Sequence, residues 1–363
     1  MAADHKRHFW ERLLQYLPPD LETKLIPTWS KGRISVREAL WPREFYSEVT
    51  EFKPDLFLTD YPLTQARHLA ILRRLRGLRC RYAIHLRGDI WTELRLLMDE
   101  KRVALRKQLS LSEVASYLQT RAFETILRGE FRSADIIMPI CRWLEGRVRE
   151  EVGYAVRTEV CYQGVDSSLF FEEKGLELKH PSVGIMQSFN VKPKVAALIA
   201  FRKIIKKMPN VTFYIVEGKP GKITGSAQYF KAAKDALGHI DNVIFVPSLT
   251  YPDEVRRFLS ACDVYALVTG LDCCPTTVME ASLVGKPVVA SRVGGVPELI
   301  LDGQTGFCIE NDDEQKWVET FEMLLSNPKL SREMGARARD FVTENFDWSV
   351  IGRRTASIVR TVV

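Results

Sequence analysis

The chain is 363 residues long, 46% hydrophobic and 27% charged, with a formal charge of +6. That length fits two cores of roughly 150 to 200 residues each. The composition excludes a disordered chain, and no run approaches the roughly 18 to 20 apolar residues of a bilayer span. The basic excess is local: Lys and Arg outnumber Asp and Glu by 28 to 22 up to residue 165, and the two are equal at 24 each beyond it.

The N-terminus, MAADHKRHFWERLLQYLPPD, is charged and then amphipathic, without the apolar run and small-residue cleavage site of a secretory signal, which predicts a cytoplasmic chain. Looser strand and helix alternation follows. Strands are expected at PDLFLTDY, RYAIHL, ADIIMPI and TEVCYQ, and helices in the arginine-rich stretch Thr64 to Arg81, from Trp91 to Gly129, and at CRWLEGRVREEVG. The arginine-rich stretch carries six arginines and no acid, with leucines between them. Two readings stand side by side: contact with an anionic membrane surface at the inner face, or a solvated helix whose leucines pack on a sheet.

From Pro181 onward the alternation is regular. Strands are expected at SVGIMQ, VTFYIVE, NVIFVPS, CDVYALV, KPVVASR and TGFCIE, separated by helical segments including KVAALIAFRKIIKKM, YPDEVRRFLSA, PTTVMEASLVG and VPELILDG, with helices only after Asn327. The expected fold is α/β: two Rossmann-like doubly wound domains, 1–165 and 166–345, facing across a cleft, with a C-terminal helix, 346–363, packing back toward the first. Seven scattered cysteines read as reduced thiols, and no His/Cys spacing or Asp-x-Asp motif suggests a metal site.

The segment TGLDCCPTTVMEASLVGKPVVASRVGGVPELILDGQTGF, Thr269 to Phe307, concentrates the chemistry. A helix starting at Pro275, with Thr276, Thr277 and Val278 in its first turn, offers unpaired amides and a positive dipole end to a diphosphate. Glu280, about one turn further in, can reach ribose hydroxyls. Asp272 lies in the loop before the helix.

This segment resembles glycosyltransferase family 4, the retaining nucleotide-sugar transferases of GT-B fold. The matching elements are two acids eight positions apart, then GKPVVAS, VGGVPELI and DGQTG. The resemblance implies that Asp272 holds donor-sugar hydroxyls and Glu280 the ribose, that backbone groups near Pro247 to Leu249 hold the nucleobase, and that Gly218 ends the strand turn beside the nucleotide. It further implies a functional histidine at His85, ending a strand and pointing into the cleft, with Arg87 and Asp89 on the acceptor side. Cys161 to Phe170, CYQGVDSSLF, matches the family's interdomain segment. The expected reaction moves a sugar from a UDP- or GDP-type donor to an acceptor hydroxyl of a glycan, lipid-linked or small-molecule acceptor, with retention and with neither metal nor cofactor. No nucleic-acid partner is expected.

The sequence also departs from the family pattern. The family's diphosphate-clamping arginine falls on Gln187 or Ser188, leaving Lys192 or Lys194 as a single point charge. Asp272 stands where glutamate is usual, and the family's first strand and glycine-rich loop are not found before the opening helix. These departures keep two alternatives in play, a weakly active or inactive nucleotide-sugar-binding partner subunit and a nucleotide-sugar epimerase. A dehydrogenase is disfavoured, because no G-x-G-x-x-G follows a strand.

Overall fold

The computed structural model describes residues 11–24, 43–59, 65–107, 110–186, 196–217, 231, 234–235, 237 and 239–363. The chain divides into two compact units, Met1–Tyr162 with Gly352–Val363, and Gln163–Ile351.

In the first unit, α1 (Arg43–Phe52), β1 (Leu56–Thr59), α2 (Gln65–Arg76), β2 (Arg81–Leu86), α3 (Ile90–Lys107), α4 (Leu111–Arg132), β3 (Ile136–Pro139) and α5 (Arg142–Val152) follow one another. The three strands form a parallel sheet in the order β1-β2-β3. The chain end closes on this unit: Arg157 donates to Thr361 Oγ1 at 2.7 Å and Arg360 to Asp20 at 2.7 Å.

Two expectations for this unit need correction, and one of two open readings is favoured. The stretch expected as one helix from Trp91 to Gly129 is two, α3 and α4, packed against each other. It holds no proline or interior glycine to mark the break. TEVCYQ is extended but forms only an isolated bridge, Thr158 with Ile137, supported by Glu159 N to Ile137 O at 3.1 Å and Cys161 N to Pro139 O at 2.9 Å. In α2, Leu69 and Leu72 are buried while Arg67 and Arg74 face solvent. Arg73 reaches Asp135 at 3.3 Å, and Arg81 reaches the same carboxylate at 3.1 Å. The described part of the arginine-rich stretch therefore packs its leucines on protein.

The second unit is a six-stranded, all-parallel sheet of β4 (Ser182–Ile185), β5 (Thr212–Val216), β6 (Val243–Val246), β7 (Val264–Leu267), β8 (Val288–Ser291) and β9 (Gly306–Ile309) in the order β6-β5-β4-β7-β8-β9. Its helices are α6 (Ala196–Lys207), α7 (Asp253–Ala261), α8 (Thr276–Leu283), α9 (Glu314–Ser326) and α10 (Pro328–Phe346), and α11 (Trp348–Arg360) begins in this unit and runs into the first. The strands read as continuous apolar runs because helices cover both faces. On one face, Phe201 of α6, Phe213 of β5 and Phe321 of α9 stack within 4.6 to 6.0 Å. On the other, Gly184 of β4 lies so close under Phe258 and Cys262 that a side chain there would strike both. VPELILDG, expected at helical length, is only a 3-10 turn, Val296–Glu298.

The order of strands reverses between β4 and β7. In open parallel sheets the crevice beyond the carboxyl ends of strands at such a reversal is where ligands bind. The loop after β7 carries Asp272 to Pro275 and leads into α8, which puts the candidate site at that crevice.

Candidate functional site

The start of α8 has no side-chain cap: Pro275 stands at the N-cap with extended backbone, φ −66° and ψ 113°, and no acid occupies the first turn. The opening amides and their positive dipole end are thus uncompensated by any side chain of the helix itself. Thr276 remains partly exposed while Thr277 through Leu283 are buried. One end of this helix is open and the rest is core.

Asp272 lies in the loop before α8 and Glu280 within the helix. The Tyr265 hydroxyl on β7 is sensitive to both carboxylates and lies beside the Thr277 hydroxyl, while donating to the Met186 carbonyl at 3.1 Å at the end of β4. Asp272, which keeps some surface, accepts from the amides of Cys273 and Cys274, yet loss of hydration raises its carboxyl from 3.8 to about 6. Glu280 is 3% exposed, and burial lifts it from 4.5 to about 8, opposed only by a hydrogen bond from the Tyr251 phenol. Desolvation disfavours the charged form of each acid.

The Asp272 loop is braced from behind. Thr269 N donates to Ser291 Oγ at 3.0 Å, Ser291 Oγ to Asn311 Oδ1 at 2.7 Å, and Asn311 Nδ2 back to Thr269 O at 2.9 Å. This closed ring ties the ends of β7, β8 and β9 together. Gly295 N donates to Asp272 O at 3.0 Å, and Gly294, at φ 53°, sits against the same carbonyl where any β-carbon would collide. The sequence reading missed Tyr251, Tyr265 and this ring. A polar-tipped Tyr265 closing an apolar strand run was the one visible signal.

The loop expected to hold a nucleobase, Pro247 to Leu249, follows β6, and Pro247 and Ser248 are exposed there. Lys192, Lys194 and Gly218 lie outside the described residues, as do Gln187 and Ser188.

In the first unit, His85 lies on β2 opposite Met138 and is 1% exposed. Its Nε2 donates to Cys161 O at 3.3 Å, and burial with the Arg87 charge holds its pKa down at about 3, so the imidazole is neutral. His85, expected to face a cleft, is buried within its own unit, against the backbone of Cys161. Asp89 is also buried, capping α3 through Thr92 N at 3.1 Å and pairing with Arg147 at 3.5 Å. Its carboxylate is committed to the fold, whereas Arg87 keeps partial exposure. All seven cysteines are free thiols, and all are buried. Among the described residues no cluster of three metal-ligating side chains occurs, and no helix is long and apolar enough to cross a membrane.

Residues 171–341, which span this site, match the family Glycosyl transferases group 1. Similar curated proteins include the GDP-mannose-dependent alpha-(1-6)-phosphatidylinositol monomannoside mannosyltransferase of Mycolicibacterium smegmatis, 27% identical over 65% of this chain and 64% of that protein. The alpha-maltose-1-phosphate synthase of the same organism is 26% identical over 57% of each. The chain thus spans less than two thirds of the length of both relatives. Among solved structures, sucrose-phosphate synthase from Thermosynechococcus elongatus superposes with a TM-score of 0.70 at 15% identity, covering 99% of this chain and 92% of that one. Anabaena HepE in complex with UDP and glucose gives 0.63 at 19% identity, over 91% and 84%. The fold is therefore that of the GT-B glycosyltransferases, two α/β units with parallel sheets, and residues 171–341 of the second unit are similar to the group 1 glycosyl transferases.

Proposed function

We propose that the protein is a retaining glycosyltransferase, moving a sugar from a UDP- or GDP-type donor to an acceptor hydroxyl without a metal. The observation that carries this reading is the uncapped, partly exposed start of α8 at the strand-order reversal, with Asp272 in front of it and Glu280 one turn inside. In that arrangement the first-turn amides of Thr276, Thr277 and Val278 receive the diphosphate and stabilise it as it departs. Asp272 accepts from donor-sugar hydroxyls and Glu280 from the ribose, while Pro247 to Leu249 seat the base. Lys192 or Lys194 supplies the single cationic charge left in a chain whose sequence has Gln187 and Ser188 where the family has arginine. Similar proteins support a nucleotide-sugar donor: one is a GDP-mannose-dependent mannosyltransferase, and Anabaena HepE was solved with UDP and glucose. His85, buried and neutral, serves this reading as a hydrogen-bonding group and not as a charge.

The missing guanidinium favours one competing reading, a nucleotide-sugar-binding partner with little transfer activity. Incubating the full chain with UDP- and GDP-sugars and following free nucleoside diphosphate separates the two. Nucleotide release that depends on an added acceptor supports the transferase. Saturable binding with an intact donor pool supports the partner, and absence of any nucleotide binding removes both.

A further inference from the structure

The site at the start of α8 belongs to the second unit, and the first unit carries a cavity that the function above leaves unused. It has a volume of about 240 Å³ and lies among α3, α4 and α5. Its floor is apolar, made of Trp91, Leu94 and Met98 of α3, all buried. Its rim is charged: Arg95 of α3, Glu124 and Arg128 of α4, and Glu151 at the end of α5. Exposure rises from 2% at Trp91 to 58% for the Arg95 side chain, which puts the mouth at Arg95.

The rim is held as one network. Glu151 accepts from Arg128 through its carboxylate at 2.9 Å and through its carbonyl at 2.7 Å, from Arg147 at 3.0 Å, and from Arg95. Arg128 also reaches Glu124 at 3.3 Å. At the floor one donor is left over. The Trp91 ring packs on Phe131 at 5.0 Å between centroids, and its Nε1 is buried with no hydrogen-bond partner among the described residues. A buried indole N–H ordinarily finds an acceptor, because leaving it unmade forfeits its hydration.

These features define an occupant. The indole N–H requires an oxygen acceptor, and Trp91, Leu94 and Met98 require a C–H face beside it. Among the described lining residues two guanidiniums meet two carboxylates, so the rim offers donors and acceptors with no net charge. An added ion would meet its own sign as well as the opposite one, whereas a neutral polyol can both donate and accept. The volume falls below the roughly 300 to 1,000 Å³ of sites for drug-sized ligands, which suits one sugar ring.

We propose that this cavity is a binding site for a neutral sugar unit, held by the Trp91 indole N–H at the floor and by Arg95, Arg128, Glu124 and Glu151 at the rim. It shares no residue with the site at the start of α8 and stands whether or not that site transfers sugar. The occupant is a free monosaccharide or the end unit of a longer neutral glycan.

The test follows the indole N–H signals of the seven tryptophans in the full chain by two-dimensional NMR, with Trp91 assigned from Trp91→Phe. Glucose, mannose and N-acetylglucosamine are added in turn, then maltose as a two-unit glycan. The Trp91 signal should shift saturably in the millimolar range while that of Trp317, buried in the second unit, stays in place. Saturation by monosaccharides alone assigns a free sugar, and saturation by maltose assigns a glycan end. Glucose 6-phosphate and glucosamine, each charged, should bind more weakly than glucose. In Trp91→Phe, which keeps a ring against Phe131 and loses the N–H, the backbone amides of Leu94 to Met98 should report binding about fivefold weaker, the yield of one uncharged hydrogen bond. Arg95→Ala, at an exposed position that leaves the floor intact, should weaken binding by a similar factor and decides the matter if Trp91→Phe does not fold. A Trp91 signal unmoved by every neutral sugar would overturn the proposal and leave the cavity to water, and parallel movement of all seven indoles would overturn it as well. Tighter binding of glucose 6-phosphate than of glucose would replace it with an anion site on the two arginines. Unchanged binding in both variants would place the sugar elsewhere.

Discussion

His85 in the first unit and Glu280 in the second are buried to nearly the same degree, 1% and 3% exposed, yet burial pushes their titration in opposite directions. The imidazole falls from 6.5 to about 3 and the carboxyl rises from 4.5 to about 8. Both are neutral between those values, because a low-dielectric surrounding penalises whichever form carries charge. The units should therefore respond to pH as mirror images. Unfolded Glu280 releases its proton near 4.5 while the folded group holds it to about 8, so its unit loses stability as pH rises through that window. Unfolded His85 takes up a proton near 6.5 while the folded group refuses it down to about 3, so the other unit loses stability as pH falls.

Glu280→Gln should have the largest effect on this contrast. It should remove a pH-dependent loss on the order of a few kcal/mol across the window from 4.5 to about 8, visible as a shallower calorimetric fall in stability there than in the parent. A slope unchanged from the parent would show that Glu280 is not the group responsible. His85→Asn should remove the acid limb between 6.5 and about 3, by a comparable or smaller amount because an amide can still donate to Cys161 O. Persistence of the limb would assign it to another group. Asp272→Asn should have a weaker effect, roughly 1 to 2 kcal/mol between 3.8 and about 6, since Asp272 keeps some surface and two backbone donors. The smallest change belongs to an exposed pair far from either group: Lys207→Ala removes the 2.8 Å contact with Glu322 and should cost under about 1 kcal/mol at every pH.

The same contrast separates what was legible in the sequence from what was not. Every strand of the second unit could be read from SVGI to GFCI, because a parallel sheet covered on both faces imposes uninterrupted apolar runs. In the first unit that signal weakened: TEVCYQ stayed an extended bridge, and one long amphipathic run folded back as α3 and α4. The positions of Asp272 before α8 and Glu280 within it could be read from the sequence. The burial of His85 was not legible, since strand period fixes alternation but not which face a short sheet buries. Likewise the ring of Thr269, Ser291 and Asn311 exists only because three strand ends meet.

A crystal structure of the full chain grown with UDP or GDP tests the central claim most directly. The account predicts the diphosphate on the amides of Thr276 to Val278 and the ribose hydroxyls on Glu280, with Asp272 beside the terminal phosphate. Nucleotide density elsewhere, with the start of α8 vacant, would contradict it.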